Sequence, residues 1–185
     1  MAGTTGTGHV LVVGATGVLR PAAVALAGRG HRVSALARRA GPLADLAREC
    51  GDAVRPLAAD VRDPGLPDAL DTVADALGPF TGALLYCPAA PAGAVSGMLG
   101  RVGGGGPAVL LLTSAWAAPE AGEMPFPEAR RLLLGWADGP GGPRWHTPAE
   151  ISTGALRLFD TGRAGLGAPG AAVLGSVRPW TERPA

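Results

Sequence analysis

The chain of 185 residues contains no lysine: all 16 of its basic residues are arginine, and its formal net charge is only +1. A net charge this small, with no run of basic residues, argues against a protein that binds nucleic acid. Only two cysteines occur, Cys50 and Cys87, and they are far apart in the sequence. The composition therefore indicates neither a disulfide framework nor a zinc site, and we predict no metal.

Long apolar runs are also missing. No stretch reaches the ~20 apolar residues needed to cross a bilayer. The first residues lack the basic region and apolar core of a signal peptide. We therefore expect a cytoplasmic protein without a membrane partner, which acts on a small molecule. The length fits one domain that spans residues 1–185.

The chain does contain, near its start, a strand pattern that leads through a glycine turn into a helix pattern. Residues His9–Val13 predict a buried parallel strand, Gly14 and Gly17 frame the turn, and Arg32–Ala37 predicts a second strand. This order of elements is a βαβ unit. Glycines at such a turn let a dinucleotide pyrophosphate approach the N–H groups at the helix N-terminus. The residues predicted to line this pyrophosphate site are Gly14, Thr16, Gly17, Val18 and Leu19.

The end of the second predicted strand indicates which dinucleotide binds. NAD-binding units usually place an acid about 20 residues after the glycines. This chain has Arg38 and Arg39 there, and no acid before Asp45. Two guanidinium groups match a 2′-phosphate, so the sequence favours NADPH over NADH. A solvated basic strand end is the alternative.

Strand and helix patterns alternate along the rest of the chain. Further strands are predicted at 53–59, 82–86, 108–112, 131–136 and 171–177, and helices at 42–50, 67–77, 92–102 and after Thr147. We expect glycines to break the helix at 92–102. Thr147 and Glu150 form a capping box at the start of the last helix. The alternation predicts an α/β fold: a single doubly wound Rossmann-like domain, with a mainly parallel sheet of about seven strands in the order 3-2-1-4-5-6-7.

The glycine turn resembles the GATGxxG motif of the short-chain dehydrogenase/reductase family. Gly14 and Gly17 match the first two glycines, whereas Arg20 stands at the third position. We expect Ala22 and Ala23 to supply the small helix surface that the third glycine normally provides. The resemblance implies a Rossmann fold, a nicotinamide cofactor and an oxidoreductase.

The resemblance also implies roles for residues at later strand ends. Asp60 would accept a hydrogen bond from the adenine amino group, and Val61 would lie against the adenine ring. Pro88 and Ala89 stand where the family has a turn over the nicotinamide-side ribose. Cys87, which takes the place of the asparagine in that turn, is interpreted as an inert buried thiol.

The catalytic Tyr-x-x-x-Lys motif of the family is absent, because the chain has one tyrosine, Tyr86, and no lysine. A loop at 117–127, with Glu120, Glu123 and Met124, replaces the long helix that carries the motif. By position, Ser114 matches the serine that polarises the substrate, and it is our first candidate for hydrogen bonding to substrate. The proton donor is left open between Tyr86, Ser114, His146, a loop acid and water.

These features favour an atypical, shortened NADPH-dependent reductase of a small C=N (cyclic imine or iminium) or C=O substrate. An iminium arrives already protonated, so it needs no Tyr-Lys pair, and Trp116 is a candidate to stack on such a cation. One alternative is a non-catalytic NADP(H)-binding sensor or interaction module. Another is an isomerase or cyclase that reuses the cleft, for which Arg20 is the only support.

Apolar residues at 102–112 and after Thr147 predict a homodimer.

Overall fold

The computed structural model describes residues 7–103, 105–117, 125–161, 171–177 and 184. The strands in these residues are β1 (His9–Val13), β2 (Arg32–Ala37), β3 (Val54–Ala58), β4 (Phe80–Leu85), β5 (Ala108–Thr113), β6 (Arg130–Leu134), β7 (Ala137–Gly139), β8 (Gly142–Arg144) and β9 (Ala171–Leu174). The helices there are α1 (Arg20–Gly28), α2 (Ala40–Cys50), α3 (Leu66–Leu77), α4 (Ala92–Gly100) and α5 (Pro148–Thr161), with 3-10 turns at Gly51–Ala53 and Ser114–Ala117.

Seven strands form one fully parallel sheet in the order β3-β2-β1-β4-β5-β6-β9. The predicted doubly wound α/β fold and the predicted strand order are therefore confirmed. Val13 at the end of β1 lies opposite Leu36 of β2 and Leu85 of β4. Because the strands are parallel, the turns after β1 to β5 emerge at one edge of the sheet, where ligands bind in such folds.

Helices cover both faces of the sheet and make two apolar cores. Helices α1, α2 and α5 contribute buried residues to one core, and α3 and α4 contribute to the other. All five residues of β1 are buried, with Val10 and Val12 in the first core and Leu11 and Val13 in the second. A strand buried on both faces explains why its sequence is a continuous apolar run.

Helix α1 starts immediately after the glycine turn and packs closely on the sheet. Pro21 lies in its first turn, where a missing N–H costs no intrahelical hydrogen bond. Ala22 and Ala23 are fully buried, so they supply the small packing surface as predicted. The Arg20 side chain points away to pair with Glu49 of α2 at 2.5 Å.

Two differences from the sequence prediction concern α4 and the segment after β6. The prediction of a broken helix at 92–102 was wrong, because α4 is continuous and buries Val95, Met98 and Leu99, whose packing offsets the low helix propensity of glycine. The antiparallel hairpin of β7 and β8 was not predicted. Strand β6 ends at Leu134, earlier than predicted, because Trp136 already forms an antiparallel bridge with Ser176.

Two other expectations concern the loop at 117–127 and the predicted homodimer. Of the loop at 117–127, residues 118–124, and with them Glu120, Glu123 and Met124, lie outside the described residues. The apolar residues at Val109 to Leu112 and on α5 are buried in the two cores, so the surface on which the homodimer was predicted is used internally. The homodimer itself stays a prediction.

No helix among the described residues is long and apolar enough to cross a membrane.

Candidate functional site

The turn between β1 and α1 requires glycine at its first position. Gly14 has φ +85°, in the left-handed region, and a Cβ built on it would lie 3.0 Å from the carbonyl oxygen of Tyr86. Its N–H donates to the Leu36 carbonyl at 3.0 Å. The turn is therefore held tightly between β2 and the end of β4.

Gly17, in contrast, borders open space. A Cβ on Gly17 would meet only the Gly14 carbonyl oxygen, at 3.8 Å. In the described part of the chain, the N–H groups of Thr16 and Val18 donate to no protein acceptor. The turn thus presents bare donors at the N-terminus of α1, an arrangement that suits an anion.

A buried serine from the far end of the chain fixes the start of α1. Ser152 of α5 accepts a hydrogen bond from the Ala22 N–H (3.1 Å) and donates one to the Val18 carbonyl (2.9 Å). It satisfies one of the donors that every helix N-terminus leaves open. No local pattern predicts this role of Ser152, because its partners lie more than 100 residues away.

The glycine turn forms one wall of a cavity of about 380 Å³, which we call the first cavity. It lies at the carboxyl ends of β1 to β4, and all but one of the predicted cofactor residues line it. Leu19, the exception, is fully buried beneath the turn. The lining residues from the prediction are Gly14, Thr16, Gly17, Val18, Arg38, Arg39, Asp60, Val61, Pro88 and Ala89.

One end of the first cavity is basic. Arg38 and Arg39 are exposed, and within the described residues neither guanidinium has an ion-pair partner. Asp60 pairs with Arg62 at 3.0 Å, and this hydrogen bonding lowers the pKa of the Asp60 carboxyl to about 2. Asp60 is therefore ionised at neutral pH, and the end of the cavity still carries an excess of positive charge.

Cys87 lines the first cavity beside Pro88 and Ala89. Burial raises the pKa of its thiol to about 11, so the thiol is protonated at neutral pH. Since the thiolate is the nucleophilic form, this agrees with the interpretation of Cys87 as inert.

A second cavity, of about 330 Å³, opens at the carboxyl ends of β5 and β6. It adjoins the first cavity, since Val18 and Tyr86 line both. All three predicted catalytic candidates, Tyr86, Ser114 and His146, line it together. The other lining residues are Val18, Thr113, Ala115, Leu134, Trp145 and Ile151.

Three hydroxyl groups at this cavity are available to a ligand. Among the described residues, none of the hydroxyl groups of Tyr86, Thr113 and Ser114 has a hydrogen-bond partner. Burial raises the pKa of the Tyr86 phenol, so it is a neutral O–H donor at physiological pH. Ser114 begins the 3-10 turn that directly follows β5.

His146 is held differently, because protein atoms face both of its ring nitrogens. Nε2 lies 3.1 Å from the Leu174 carbonyl oxygen, to which it can only donate. Nδ1 is buried without a hydrogen bond and lies 3.6 Å from Glu150 Oε2. Glu150 in turn closes the capping box with Thr147 and accepts two hydrogen bonds from Arg144. His146 thus shapes the cavity wall and anchors the hairpin to β9.

The tryptophan at the second cavity is Trp145, not Trp116. Trp116 packs on the second apolar core and does not line this cavity, which agrees with a packing tryptophan and gives no support for stacking on a substrate. Trp145 is 44% exposed and meets Trp136 edge to face, with ring centroids 6.1 Å apart. The sequence could not place Trp145 because the hairpin that carries it was not predicted.

No protein-family model matches the chain, and a comparison with curated proteins gives no match. Solved structures do match it over most of its length. A short-chain dehydrogenase/reductase from Mycobacterium marinum is 16% identical, with a TM-score of 0.69 over 91% of this chain and 93% of the other.

Two further solved structures are similar to the same degree. The citronellol catabolism dehydrogenase AtuB of Pseudomonas aeruginosa is 17% identical, with a TM-score of 0.71 over 91% of this chain and 93% of its own. YwfH, an NADPH-dependent reductase involved in bacilysin biosynthesis, is 13% identical, with a TM-score of 0.70 over 92% of this chain and 100% of its own. The chain shares the Rossmann fold of these proteins.

Proposed function

We propose that the protein is an NADPH-dependent oxidoreductase that reduces a small C=N or C=O substrate. The observation that carries this proposal is the junction of the two cavities at Tyr86 and Val18. One cavity offers bare backbone donors and a basic end, and the other offers free hydroxyl groups, among them those of Tyr86 and Ser114. A dinucleotide in the first cavity would therefore border a substrate in the second.

The lining and the charge of the first cavity support a dinucleotide. The open space at Gly17 and the bare N–H groups of Thr16 and Val18 would hold the pyrophosphate. Arg38 and Arg39 would bind a 2′-phosphate. When bound, the nicotinamide group supplies the hydride for reduction or accepts it in the reverse reaction.

The chain's own residues would orient the substrate and handle its proton. Ser114 can donate a hydrogen bond to the carbonyl oxygen or to a neutral imine nitrogen. Tyr86 stays protonated because burial raises its pKa, so it can give its proton to a carbonyl oxygen as charge develops there. An iminium substrate already carries its proton and would need orientation only. We do not assign the acid to His146, because its Nε2 donates to the Leu174 carbonyl and its Nδ1 is buried 3.6 Å from Glu150.

The alternatives differ in their support. A non-catalytic NADP(H)-binding module would need the first cavity only, and the absence of lysine from the chain favours it. The isomerase or cyclase alternative loses its support, because the Arg20 side chain pairs with Glu49 and does not line the first cavity.

Two measurements on the purified chain test the proposal. NADPH binding is followed by fluorescence titration, and NADPH consumption is followed with a panel of cyclic imines and small ketones. We expect binding and turnover of at least one substrate class. Binding without any turnover favours the non-catalytic module, and failure to bind NADPH contradicts both.

A further inference from the structure

Asp60 is already engaged by a neighbour through three hydrogen bonds. Its Oδ1 accepts hydrogen bonds from the Arg62 backbone N–H (2.9 Å) and from Arg62 Nε (3.1 Å), and its Oδ2 accepts one from Arg62 Nη2 (3.0 Å). This is the forked, bidentate pairing of a guanidinium with a carboxylate. One residue thus takes three of the about four acceptor sites of the carboxylate, which leaves about one, on Oδ2, for an adenine amino group.

Arg62, however, keeps donors to spare. Asp60 engages two of the five N–H donors that a guanidinium carries, so about three stay available. The Arg62 side chain is 58% exposed and lines the first cavity. The pairing with Asp60 therefore fixes the direction of the guanidinium while leaving its outer edge open to a ligand.

The charges at this end of the cavity have a definite balance. Strands β2 and β3 are adjacent and parallel, with Ala37 opposite Ala58, so Arg38 and Arg39 leave the sheet beside Asp60 and Arg62. Three guanidinium groups and one carboxylate give a net charge of +2 there. A phosphate monoester carries about −1.5 to −2 at neutral pH, whereas a 2′-hydroxyl carries no charge to balance the excess.

We propose that Arg62 is the third member of a clamp for the 2′-phosphate of the cofactor, together with Arg38 and Arg39, and that Asp60 positions Arg62. The inference deepens the proposed function and rests on it. It gives Asp60, beside its predicted contact with adenine, the support of a specificity-determining arginine.

Calorimetric titration of the whole chain with two ligands tests the clamp without any turnover. Adenosine 2′,5′-bisphosphate and AMP differ only in the 2′-phosphate. We expect Arg62→Ala to weaken bisphosphate binding about tenfold and AMP binding less than twofold, the loss of one charge-assisted contact. Arg62→Lys keeps the charge but loses the fork, so its effect should lie between. Arg55→Ala removes an exposed arginine of β3 that does not line this cavity, and it should change neither affinity.

The variant Asp60→Asn separates positioning from simple charge. Removal of a negative charge close to the phosphate should by itself strengthen bisphosphate binding. If Asp60 positions Arg62, binding of the bisphosphate weakens instead, about threefold or more, relative to AMP. Thermal unfolding of each variant confirms that it is folded.

The outcomes are distinguishable. Equal losses of bisphosphate and AMP affinity in Arg62→Ala would mean that Arg62 contacts the adenosine, and would overturn the clamp. A gain of bisphosphate affinity in Asp60→Asn would overturn the role of Asp60. If the wild type binds NADPH but Arg62→Ala leaves the preference unchanged, only the clamp fails. If the wild type binds neither NADPH nor the bisphosphate, the proposed function itself fails.

Discussion

The first and second cavities meet at Tyr86 but are built by different means. The first is made largely of backbone: a glycine turn with φ +85° at Gly14, bare N–H groups and the ends of four adjacent strands. The second is made of side chains from segments far apart in the sequence, with Ser114 after β5 and Trp145 and His146 after the hairpin. A site built from the backbone of one turn can be recognised by a short sequence motif, whereas a site built from side chains of distant segments cannot.

This difference bears on how each cavity tolerates change. At the glycine turn of the first cavity, function depends on space that side chains must leave empty, so added atoms do harm. At the basic end of that cavity and in the second cavity, it depends on guanidinium and hydroxyl groups that are present, so removed atoms do harm. Substitutions of both kinds separate these two modes, from the largest expected effect to the smallest.

The largest effect is expected from a single methyl group at Gly17. Its Cβ would meet no protein atom closer than 3.8 Å, so Gly17→Ala should leave the unfolding temperature unchanged. The methyl group would occupy the space through which backbone approaches pyrophosphate, and NADPH binding should weaken about 100-fold. Fluorescence titration and thermal unfolding measure the two quantities.

The matched control is Gly14→Ala in the same turn. Its positive φ and the Tyr86 carbonyl oxygen 3.0 Å from the new Cβ should destabilise the fold by about 1–3 kcal/mol. If Gly17→Ala destabilises the protein as much as Gly14→Ala does, the space at Gly17 belongs to the fold and not to a ligand.

In the second cavity, Ser114→Ala should lower kcat/KM by about 10- to 100-fold, since it removes one hydrogen bond to a polar substrate, worth roughly 1–3 kcal/mol. NADPH affinity should barely change, because Ser114 does not line the first cavity. Steady-state kinetics on a responsive substrate measure this.

Tyr86→Phe gives the companion result. This variant should still reduce an iminium substrate, whereas its reduction of a ketone should be lost. A silent Ser114→Ala together with loss of all turnover in Tyr86→Phe contradicts the role of Ser114.

The contrast also explains what could be predicted from the sequence. Buried parallel strands are continuous apolar runs, so the sheet and its order followed from patterns such as His9–Val13. The glycine turn is local, and its residues were all found within six positions. The cofactor residues after β2 and β3 could be predicted because they directly follow apolar runs of this kind.

What could not be predicted depends on contacts between distant segments. The Ser152 contact with α1 spans 130 residues. The hairpin of β7 and β8 is made of glycine, proline and mostly exposed residues, so no apolar alternation marks it. The placement of Trp145 and His146 at the second cavity follows from that hairpin and from the bond of His146 to Leu174.

The basic end of the first cavity should set its preference for NADPH over NADH. Arg38→Ala and Arg39→Ala should each weaken NADPH binding by about 1–2 kcal/mol, through loss of charge-assisted hydrogen bonds, and leave NADH binding unchanged. Arg157→Ala, an exposed arginine of α5 outside both cavities, is the matched control. If neither substitution narrows the preference for NADPH, the two arginines are solvated and carry no specificity.

The smallest expected effect is the dependence of reduction on pH. The pKa of Tyr86 is raised by burial above its usual value of about 10, and the chain has no lysine that could lower it. Tyr86 is therefore protonated at every pH below about 10, and as a proton donor it should keep kcat/KM for a ketone constant within about twofold between pH 7 and 9. Stopped-flow or steady-state rates across this range test it. A decline of kcat/KM with an apparent pKa near 7 would contradict it, because a proton donor whose pKa lies above about 10 does not titrate in this range.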